Sequence, residues 1–593
     1  MKTTTNLLVA AMLLATASGT LAAVRYVNLN SASPTPPYTN WATAATVIQD
    51  AVDVAAAGDE VVVTNGIYAT GGWSAYGNLI SRVAVTLPLT VRSVNGPQFT
   101  VIQGHQVAGI TNGDGAARCV YLAVGASLSG FTLTNGSTGF DTHYYSGSDF
   151  DGGGVFCEST NAVVSDCVIA GNTANSAGGG AYGGTLSDCT LIGNSADQGG
   201  GASGGYDYPC VLNNCVLTSN SAVVGGGAGN YNGHYTLNNC ALIGNSADEG
   251  GGAFGGTLNN CTLIGNAARR GGGASGEFNP FDGPNAWCYL NNCIVYFNTA
   301  PQEANYVTAP EGAAIGSKCT LNYCCTTPLP AEGVGNISAD PQMATLPHLT
   351  AACPCREAGS TNYATGVDID GQPWANPPSI GCDEYLPGAV IGPLSVGVSG
   401  VFPYVAAGYA VSLTAEVEGQ TTVNVWDFGD GTKATNQPYA SHAWSVPGDY
   451  ALILRAYNDS QPGGIVATVA VHVVAQPVHY AAAESINPVC PYVSWATAAR
   501  TIQQALDAAA PGALVLVTNG IYAGGGRAVY GWLSNRAAVD KPLAVRSVNG
   551  PQFTVIQGYQ VPGTTNGYGA IRCVHLAEGA SLSGFTLSRN DSD

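Results

Sequence analysis

Residues 164–298 repeat one short pattern that is built around a cysteine. An aliphatic residue lies three positions before each cysteine, another lies two positions after it, and an asparagine lies five positions after it. Three consecutive glycines follow each of the first five asparagines. The repeat length of 21 to 32 residues is typical of a solenoid. The cysteines are Cys167, Cys189, Cys215, Cys240, Cys261 and Cys293, and the asparagines are Asn172, Asn194, Asn220, Asn245, Asn266 and Asn298.

Repeats of this length predict coils of short strands, because paired helices with their turns need more residues. Parallel coils stack about 4.8 Å apart, so each repeated residue forms a column. The aliphatic and cysteine columns become an apolar core, and the asparagines form a column at a bend, where a left-handed backbone is tolerated. Glycines supply bends without Cβ atoms, and segments of variable length protrude from one side. A leucine-rich repeat is disfavoured, since each coil has glycine and serine where a helix would be needed.

The pieces "GGGAF" and "LNNCTLIGN" resemble repeats of polymorphic outer-membrane proteins and of other right-handed β-helix proteins in the pectin-lyase-like superfamily. The resemblance covers roughly residues 24–385. It implies an all-β fold, a right-handed parallel β-helix. It does not imply a function, because this superfamily contains lyases, hydrolases, adhesins and passenger domains.

The first 23 residues are typical of a secretory signal peptide, with Lys2, an apolar run, and small residues ending at Ala22 and Ala23. The apolar run is too short to be a membrane-spanning helix. No later stretch is apolar enough to cross a membrane. The sequence therefore predicts a secreted or cell-surface protein.

The chain is poor in charge and strongly acidic. Charged residues make up 9% of it, the net charge is −20, and no Lys or Arg lies between Arg118 and Arg269. Such a surface repels nucleic acids and anionic lipids, which excludes both as partners. The 18 cysteines lack zinc-binding spacing, so we expect no metal site. We expect the stacked cysteines to be mostly reduced and buried. Cys210, Cys288 and Cys319 are better candidates for disulfides.

A solenoid needs covers at its open ends. Residues 43–57 predict an amphipathic helix that ends at Gly58 and covers the start, followed by a first strand at residues 61–63. The apolar face of this helix contains Ile48, Ala51, Val52 and Ala55.

The far end contains "DIDGQPW" at 368–374 and "GCDEY" at 381–385. It resembles the closing segment of bacterial β-helix proteins with a choice-of-anchor Q domain, although Trp374 replaces the usual Arg and Cys382-Asp383-Glu384 alters the last element. The resemblance implies a second cap. The matching residues are Cys353, Pro354, Cys355, Asp368, Asp370, Gly371, Pro373, Gly381, Glu384 and Tyr385.

Residues 391–476 change to alternating strands with "WDFGDG" at 426–431 and "PGDY" at 447–450. These motifs resemble PKD domains, which implies an immunoglobulin-like sandwich with Trp426 between its sheets. PKD domains serve as spacers or weak binding modules. Asp427 and Asp430 either stabilise the turn or bind calcium.

Residues 477–593 repeat the beginning of the chain at an offset of 454. The stretch "VRSVNGPQFTVIQG" is identical at 91–104 and 545–558, and Cys119 corresponds to Cys573. This predicts a second β-helix start, which stops before any ladder and is interpreted either as truncated or as ending on a partner. Its apolar edge, formed by Leu582, Phe585 and Leu587, predicts self-association or proteolysis.

The motifs of the superfamily's enzymes are missing. Elimination by a lyase needs an Arg or Lys base, and the ladder has only the adjacent Arg269 and Arg270. The aspartate motifs typical of polygalacturonases are absent, and Gly233-His234 is a lone partial match. We therefore predict no catalytic residue.

One insertion, at 139–154, combines carboxylates with aromatic rings. This combination is compatible with stacking of a sugar on the rings or with calcium binding by the carboxylates, and the alternative is a solvated loop. A second insertion at 276–289 is expected on the same side. The hypothesis is non-catalytic attachment to polysaccharide or a cell-surface glycan, and the alternative is a polysaccharide lyase or glycoside hydrolase. The candidate ligand-binding residues are Asp141, His143, Tyr144, Tyr145, Asp149 and Asp151.

Overall fold

The computed structural model describes residues 22–75, 77–139, 149–231, 234–276, 288–308, 319–529, 533–561 and 569–589. The chain forms two compact units, one of residues up to 341 with 354–384, and one of 342–353 with residues from 385 onward. Most of the predicted signal peptide lies outside the described residues. Among the residues that are described, no helix is long and apolar enough to span a membrane.

The first unit is a parallel β-helix, because every strand of its long sheets pairs in parallel with the equivalent strand of the next coil. Sheet A has eleven strands. They are Val24–Val27, Glu60–Val63, Thr90–Ser93, Ser127–Ser129, Val163–Ser165, Gly184–Ser187, Cys210–Asn213, Tyr235–Asn238, Thr257–Asn259, Cys288–Asn291 and Cys319–Asn322.

Three further sheets complete the coils. Sheet B consists of Gly66–Tyr68, Thr100–Gln103, Thr132–Thr134, Val168–Ala170, Thr190–Ile192, Val216–Thr218, Ala241–Ile243, Thr262–Ile264, Ile294–Tyr296 and Cys325–Thr326. Sheet C consists of Ile80–Val85, Ala117–Leu122, Val155–Cys157, Ala181–Tyr182, Ala202–Ser203, Ala228–Gly229, Ala253–Phe254 and Ala274–Ser275. Sheet D consists of Ser195–Gln198, Ser221–Val224, Ser246–Glu249 and Ala267–Arg270.

The register confirms the columns predicted from the sequence. Leu186 pairs with Leu212 in sheet A, and Leu191 pairs with Leu217 in sheet B. These side chains are fully buried, and the cysteine column is buried beside them. One continuous apolar core therefore runs from Val27 to Cys324.

The asparagine column is also confirmed, but its backbone differs from the prediction. Nδ2 of Asn220 donates to Oδ1 of Asn245 at 3.0 Å and to the carbonyl of Leu191 at 2.9 Å. The left-handed residues lie elsewhere, one position before the cysteine, as at Asn239 with φ of 56°, and one before the asparagine, as at Gly244 with φ of 64°. The sharp turns thus flank the buried amides.

The glycine triplets allow close approach between coils, as predicted. In the second triplet, Gly199 has a φ of 59°, and a Cβ on Gly200 would lie 2.3 Å from the carbonyl oxygen of Ser221 in the next coil. A side chain at Gly200 would therefore push the two coils apart.

The cover at the start of the stack is shorter than predicted. The α-helix is Ile48–Asp53, preceded by the 3-10 helix Trp41–Thr43. The helix begins late because Ala45 is extended and bridges Val27, and the first strand is Val24–Val27 instead of 61–63. The predicted apolar face is confirmed, since Ile48, Ala51, Val52 and Ala55 are buried.

The closing segment contacts a different surface from the one expected. Residues 333–337 lie over the last coil, where the amide of Tyr323 donates to the carbonyl of Val334 at 2.7 Å. Residues 354–384 instead run along the side of the stack. Asn239 Nδ2 donates to the carbonyl of Val367 at 2.8 Å, and Asn292 Nδ2 to that of Ser360 at 2.8 Å. The outward amides of the turn between sheets A and B need acceptors, and this segment supplies them.

In the second unit, residues 395–474 form a two-sheet sandwich around Trp426, which is fully buried. One sheet consists of Ser395–Ser399, Val411–Glu418 and Tyr439–His442. The other consists of Tyr404–Ala406, Gln461–Val474, Gly448–Asn458, Val423–Asp427 and Lys433–Thr435.

The second β-helix start follows in the same unit. It has the 3-10 helix Trp495–Thr497 and the α-helix Ile502–Ala508, which Thr501 and Gln504 cap reciprocally. Three short sheets repeat the plan of the chain's beginning. Their strands are Val478–Ala481, Leu514–Val517, Ala544–Ser547 and Ser581–Ser583; Gly520–Tyr522, Thr554–Gln557 and Thr586–Ser588; and Arg527–Ala528, Ser534–Val539 and Ile571–Leu576.

Candidate functional site

Segments of variable length leave the β-helix at both edges of sheet C. The insertion at 139–154 connects a sheet B strand to a sheet C strand, whereas the insertion at 276–289 connects a sheet C strand to a sheet A strand, so the two do not leave at the same junction. The other C-to-A segments also vary in length. They range from the tight connection at Gly183 to the insertion between Ser275 and Cys288. The outer face of sheet C is therefore where this chain differs most from coil to coil, and where a binding site can be varied without disturbing the stack.

Of the six predicted ligand-binding residues, Asp141, His143, Tyr144 and Tyr145 lie outside the described residues. Asp149 accepts a hydrogen bond at Oδ2 from the amide of Asn78 at 3.0 Å, and its carbonyl accepts one from Gly139 at 2.9 Å. These bonds join Gly139 to Asp149, the described residues on either side of 140–148, and connect Asp149 to Asn78.

Asp151 is buried, with 2% of its surface exposed. Its Oδ1 accepts from the amide of Ala177 at 3.0 Å, and burial raises the pKa of this carboxyl to about 7, although hydrogen bonds from Ser176 and Ala177 and the charge of Arg118 act in the opposite direction. The side chain thus points into packed protein and joins two coils. Its hydrogen bond fixes the segment that leads into the strand Val155–Cys157.

Arg118 is a buried cation that no sequence motif singles out. Its Nε donates to the carbonyl of Gly152 at 2.8 Å, and its Nη2 donates to that of Asp151 at 2.7 Å. Its guanidinium lies 5.1 Å from the ring centre of Phe156, and burial lowers its pKa to about 10. Arg118 therefore holds the backbone of residues 151–152 in place.

Aromatic rings stack along the outer face of sheet C. Tyr121, Phe156 and Tyr182 are register partners, with ring centres 5.8 Å and 5.6 Å apart, and Tyr208 packs edge-on against Phe156 at 5.2 Å. The hydroxyl of Tyr121 donates to Glu158. Tyr121, Phe156 and Tyr182 are less than a tenth exposed. Their rings are therefore packed inside the protein and are not available to contact a ligand.

Exposed rings lie further along the same face, beyond the small residues Ser203 and Gly229. Tyr206 is 81% exposed and packs edge-on against His234 at 5.3 Å. Tyr231 is 44% exposed and packs edge-on against buried Phe254 at 5.7 Å. We call Tyr206, Tyr231, His234 and Phe254 the aromatic face.

The sequence carried a signal for the aromatic face. Tyrosines recur in the variable segments "GGYDYPC" and "GNYNGHY", where the repeat pattern does not require them. His234 belongs to the partial Gly-His match noted above, whereas Gly233 lies outside the described residues.

Other polar candidates are engaged in structural contacts. Asp368 Oδ1 accepts from the amide of Gln372 at 2.6 Å, and its Oδ2 accepts from that of Glu384 at 3.0 Å. Glu384 in turn accepts from the amide and hydroxyl of Ser379 at 2.9 Å and 2.6 Å. Arg270 forms an ion pair with Glu303 at 2.9 Å.

The two aspartates of the sandwich turn are likewise occupied. Asp427 Oδ1 accepts from the amide of Gly429 at 3.1 Å. Asp430 Oδ1 accepts from the amide of Thr432 at 3.0 Å, and its Oδ2 lies 2.8 Å from Nε2 of His442. This arrangement supports turn stabilisation, the first of the two roles considered for this pair.

All 18 cysteines are free thiols, and all but Cys490 and Cys573 are buried. Burial raises the pKa of Cys215 and Cys261 well above its usual range, so these thiols stay protonated and are poor nucleophiles and metal ligands. Of the three predicted bridge candidates, Cys288 and Cys319 are register partners, whereas Cys210 pairs with Gly184 and Tyr235.

The comparisons with known proteins agree with the sandwich. The PKD domain family matches residues 394–471. A solved PKD domain, from the human VPS10 domain-containing receptor SorCS2, is 27% identical and covers 14% of this chain and 72% of that chain, with a TM-score of 0.12. No relative is found among curated protein sequences.

Two solved enzymes are similar to part of this chain. Pectate lyase Pel9A is 14% identical and covers 62% of this chain and 97% of that chain, with a TM-score of 0.33. Pectin methylesterase PemA from Erwinia chrysanthemi is 15% identical and covers 51% and 90%, with a TM-score of 0.28. The fold assignment rests on the parallel register described above, and the activities of these two enzymes are not carried over.

Proposed function

We propose that this chain is an exported protein that binds polysaccharide, or a cell-surface glycan, without cleaving it. The observation that carries this proposal is the aromatic face. The C–H faces of sugars pack on exposed tyrosine rings, and neighbouring amides and hydroxyls fix their orientation. Tyr206 and Tyr231 are exposed and are each supported by a second ring.

Binding is favoured over catalysis by the state of four described carboxylates. A glycosidase needs two carboxyl groups that face the substrate, and a lyase needs a base beside it. Asp149, Asp151, Asp368 and Glu384 instead accept hydrogen bonds from backbone amides. Cleavage by a polysaccharide lyase or a glycoside hydrolase stays the alternative.

Affinity electrophoresis of the full chain on a panel of neutral and acidic polysaccharides tests the proposal. Retention on at least one of them is expected, and Tyr206→Ala should weaken it about tenfold, as loss of an anchoring aromatic residue does. Tyr206→Phe, which keeps the ring, is the matched control and should be retained like the parent.

The same samples are assayed for new reducing ends and for unsaturated products, with and without a calcium chelator. Release of either product would replace the binding proposal with the enzymatic alternative. Retention that is unchanged in Tyr206→Ala and in Tyr231→Ala would remove the aromatic face as the site.

A further inference from the structure

A pocket of about 350 Å³ lies beside the short helix Ile48–Asp53, which covers the start of the first β-helix. Trp73 and Leu87 supply apolar walls, and Asp53 is the charged residue of its lining. Trp73 is 51% exposed, Leu87 is 42% exposed, and Asp53 is exposed as well. A molecule in solution can therefore reach all three side chains, and the volume is that of a small-molecule site.

Asp53 has acceptor atoms to spare. Its Oδ1 accepts from Nε2 of Gln49 at 2.8 Å, and no described residue donates to its Oδ2. The carbonyls of Asp53 and Ala55 also accept no hydrogen bond from the part of the chain that the structure describes. Unpaired carbonyls at the end of a helix carry partial negative charge. The carboxylate and these carbonyls together make the pocket a site for a positively charged donor.

The second β-helix start has the same helix and the same aspartate at the offset of 454. In both copies a glutamine of the helix donates to the aspartate carboxylate at 2.8 Å, Gln49 to Asp53 and Gln503 to Asp507. The two carboxylates are therefore held alike. Three lining residues of the pocket have counterparts of different polarity, namely Trp73, Thr86 and Leu87, which correspond to Arg527, Asp540 and Lys541.

The second copy supplies this position with its own cations. Arg527 Nη1 lies 3.5 Å from Asp507 Oδ1, and Arg527 Nη2 donates to Asp540. Lys541 Nζ donates at 3.1, 3.4 and 2.8 Å to three carbonyls at the end of the helix, those of Leu506, Asp507 and Ala509. Two acids are thus balanced by two bases in the second copy, whereas the first copy keeps one acid beside an exposed indole and an exposed leucine.

We infer that the pocket at Trp73 binds a primary ammonium compound with an apolar ring. The ammonium group donates to Asp53, in the place that the guanidinium of Arg527 takes beside Asp507 in the second copy. The ring packs on Trp73 and Leu87, and the face of the indole also attracts the cation. A quaternary ammonium has no N–H to donate, and a neutral compound leaves the carboxylate unbalanced. The inference is independent of glycan binding at the aromatic face.

The test uses the full chain with two probes that differ in charge, phenethylammonium and 2-phenylethanol. Equilibrium dialysis at low ionic strength should show saturable binding of phenethylammonium at one site. Its affinity should be about tenfold above that of the alcohol, because only the cation can pair with the carboxylate and interact with the indole face. Equal affinities for the two probes, or no saturable binding, would overturn the inference.

A pair of matched variants locates the binding. Asp53→Asn keeps an acceptor for Gln49 but removes the charge, so it should weaken phenethylammonium about tenfold and leave 2-phenylethanol unchanged. Asp507→Asn makes the same change in the second copy, where the chain already supplies the cation, and it should bind both probes like the parent. Parental affinity for phenethylammonium in Asp53→Asn would place the probe elsewhere and contradict the inference.

A triple variant, Trp73→Arg with Thr86→Asp and Leu87→Lys, converts the first site into the second. It installs side chains that the second copy already accommodates, so it should fold, and it should bind phenethylammonium more weakly by a factor of about ten or more. Tyr206→Ala, on the aromatic face, should bind the probe like the parent. Undiminished binding in the triple variant would show that the cation does not use this pocket.

Discussion

The two β-helix starts share sequence and fold but differ in what lies on top of them. Their inner coils are equivalent, since Val91 and Val545 are 0% and 1% exposed, and each start repeats the Ser-Thr hydroxyl contact, 2.8 Å at Ser93 and 2.7 Å at Ser547. The coils at 117–134 and 571–588 are not equivalent. Strands at 155–170 cover the first, whereas no described strand pairs with the outer edge of the second.

Equivalent apolar residues are therefore buried to different extents in the two starts. Phe131 is fully buried, whereas its counterpart Phe585 is half-buried. Leu128 is 1% exposed, whereas its counterpart Leu582 is half-buried. Burial in a solenoid is therefore a property of the neighbouring coil as much as of the residue itself. Self-association through the second edge stays a prediction.

The largest difference between the two starts is expected when a charge is introduced at equivalent leucines. Leu128→Asp should destabilise the first start by about 4 kcal/mol, because the carboxylate would be enclosed between two coils. Leu582→Asp should cost about 1 kcal/mol, since its carboxylate can reach water. Hydrogen exchange of the full chain, read separately over 117–134 and 571–588, measures both. Equal loss of protection would show that the second edge is covered in solution.

The next largest contrast concerns a matched pair of arginines. Arg118→Ala should cost about 3 kcal/mol, because it leaves the buried carbonyls of Asp151 and Gly152 without their donors. Arg572 is exposed, so Arg572→Ala should change local stability by less than about 0.5 kcal/mol. The same exchange experiment reads both, and a similar effect at the two sites would refute the anchoring role of Arg118.

The last contrast is a pH dependence that Asp151 gives to the coils next to the first start. The pKa of Asp151 is about 7 in the folded protein, because burial raises it above the usual value near 3.8. The folded state therefore binds more protons than the unfolded state between these values, so stability decreases as pH rises from about 4 to about 7. The expected slope is at most about 1.4 kcal/mol per pH unit, which amounts to about 4 kcal/mol over the whole interval.

Asp151→Asn should abolish that slope over 149–182 while leaving 571–588 unchanged. Exchange protection measured at several pH values, corrected for intrinsic rates, gives the slope. A parental slope in Asp151→Asn would assign the titration to another group.

Periodic features of the fold could be predicted from the sequence, because they repeat. The columns that contain Leu186 and Asn172 follow from spacing alone, and the structure confirms them. The length of the first helix could not be predicted, because extended Ala45 pairs with Val27, a tertiary contact that overrides the helical preference of alanine.

Ligand binding at the six predicted residues stays a prediction, and the contacts of the two described ones could not be predicted from the sequence. Aspartates in an insertion suggest ligand binding, but Asp149 and Asp151 accept backbone hydrogen bonds that depend on which coil lies beside them. The exposure of Tyr206 also depends on the path of its loop. Neither property produces a periodic pattern in the sequence, although the recurring tyrosines of the variable segments are a sequence signal.

The asparagine column also bears on how a chain of this kind changes over generations. Each amide uses the same two acceptors one coil away, as at Asn194 with Asn220 and at Asn245 with Asn266, both at 3.0 Å. A coil inserted or deleted in frame by unequal crossing-over meets identical hydrogen-bonding groups above and below it. The number of coils can thus vary between descendants without a new kind of contact between coils. Each added coil also adds a surface loop whose sequence can change.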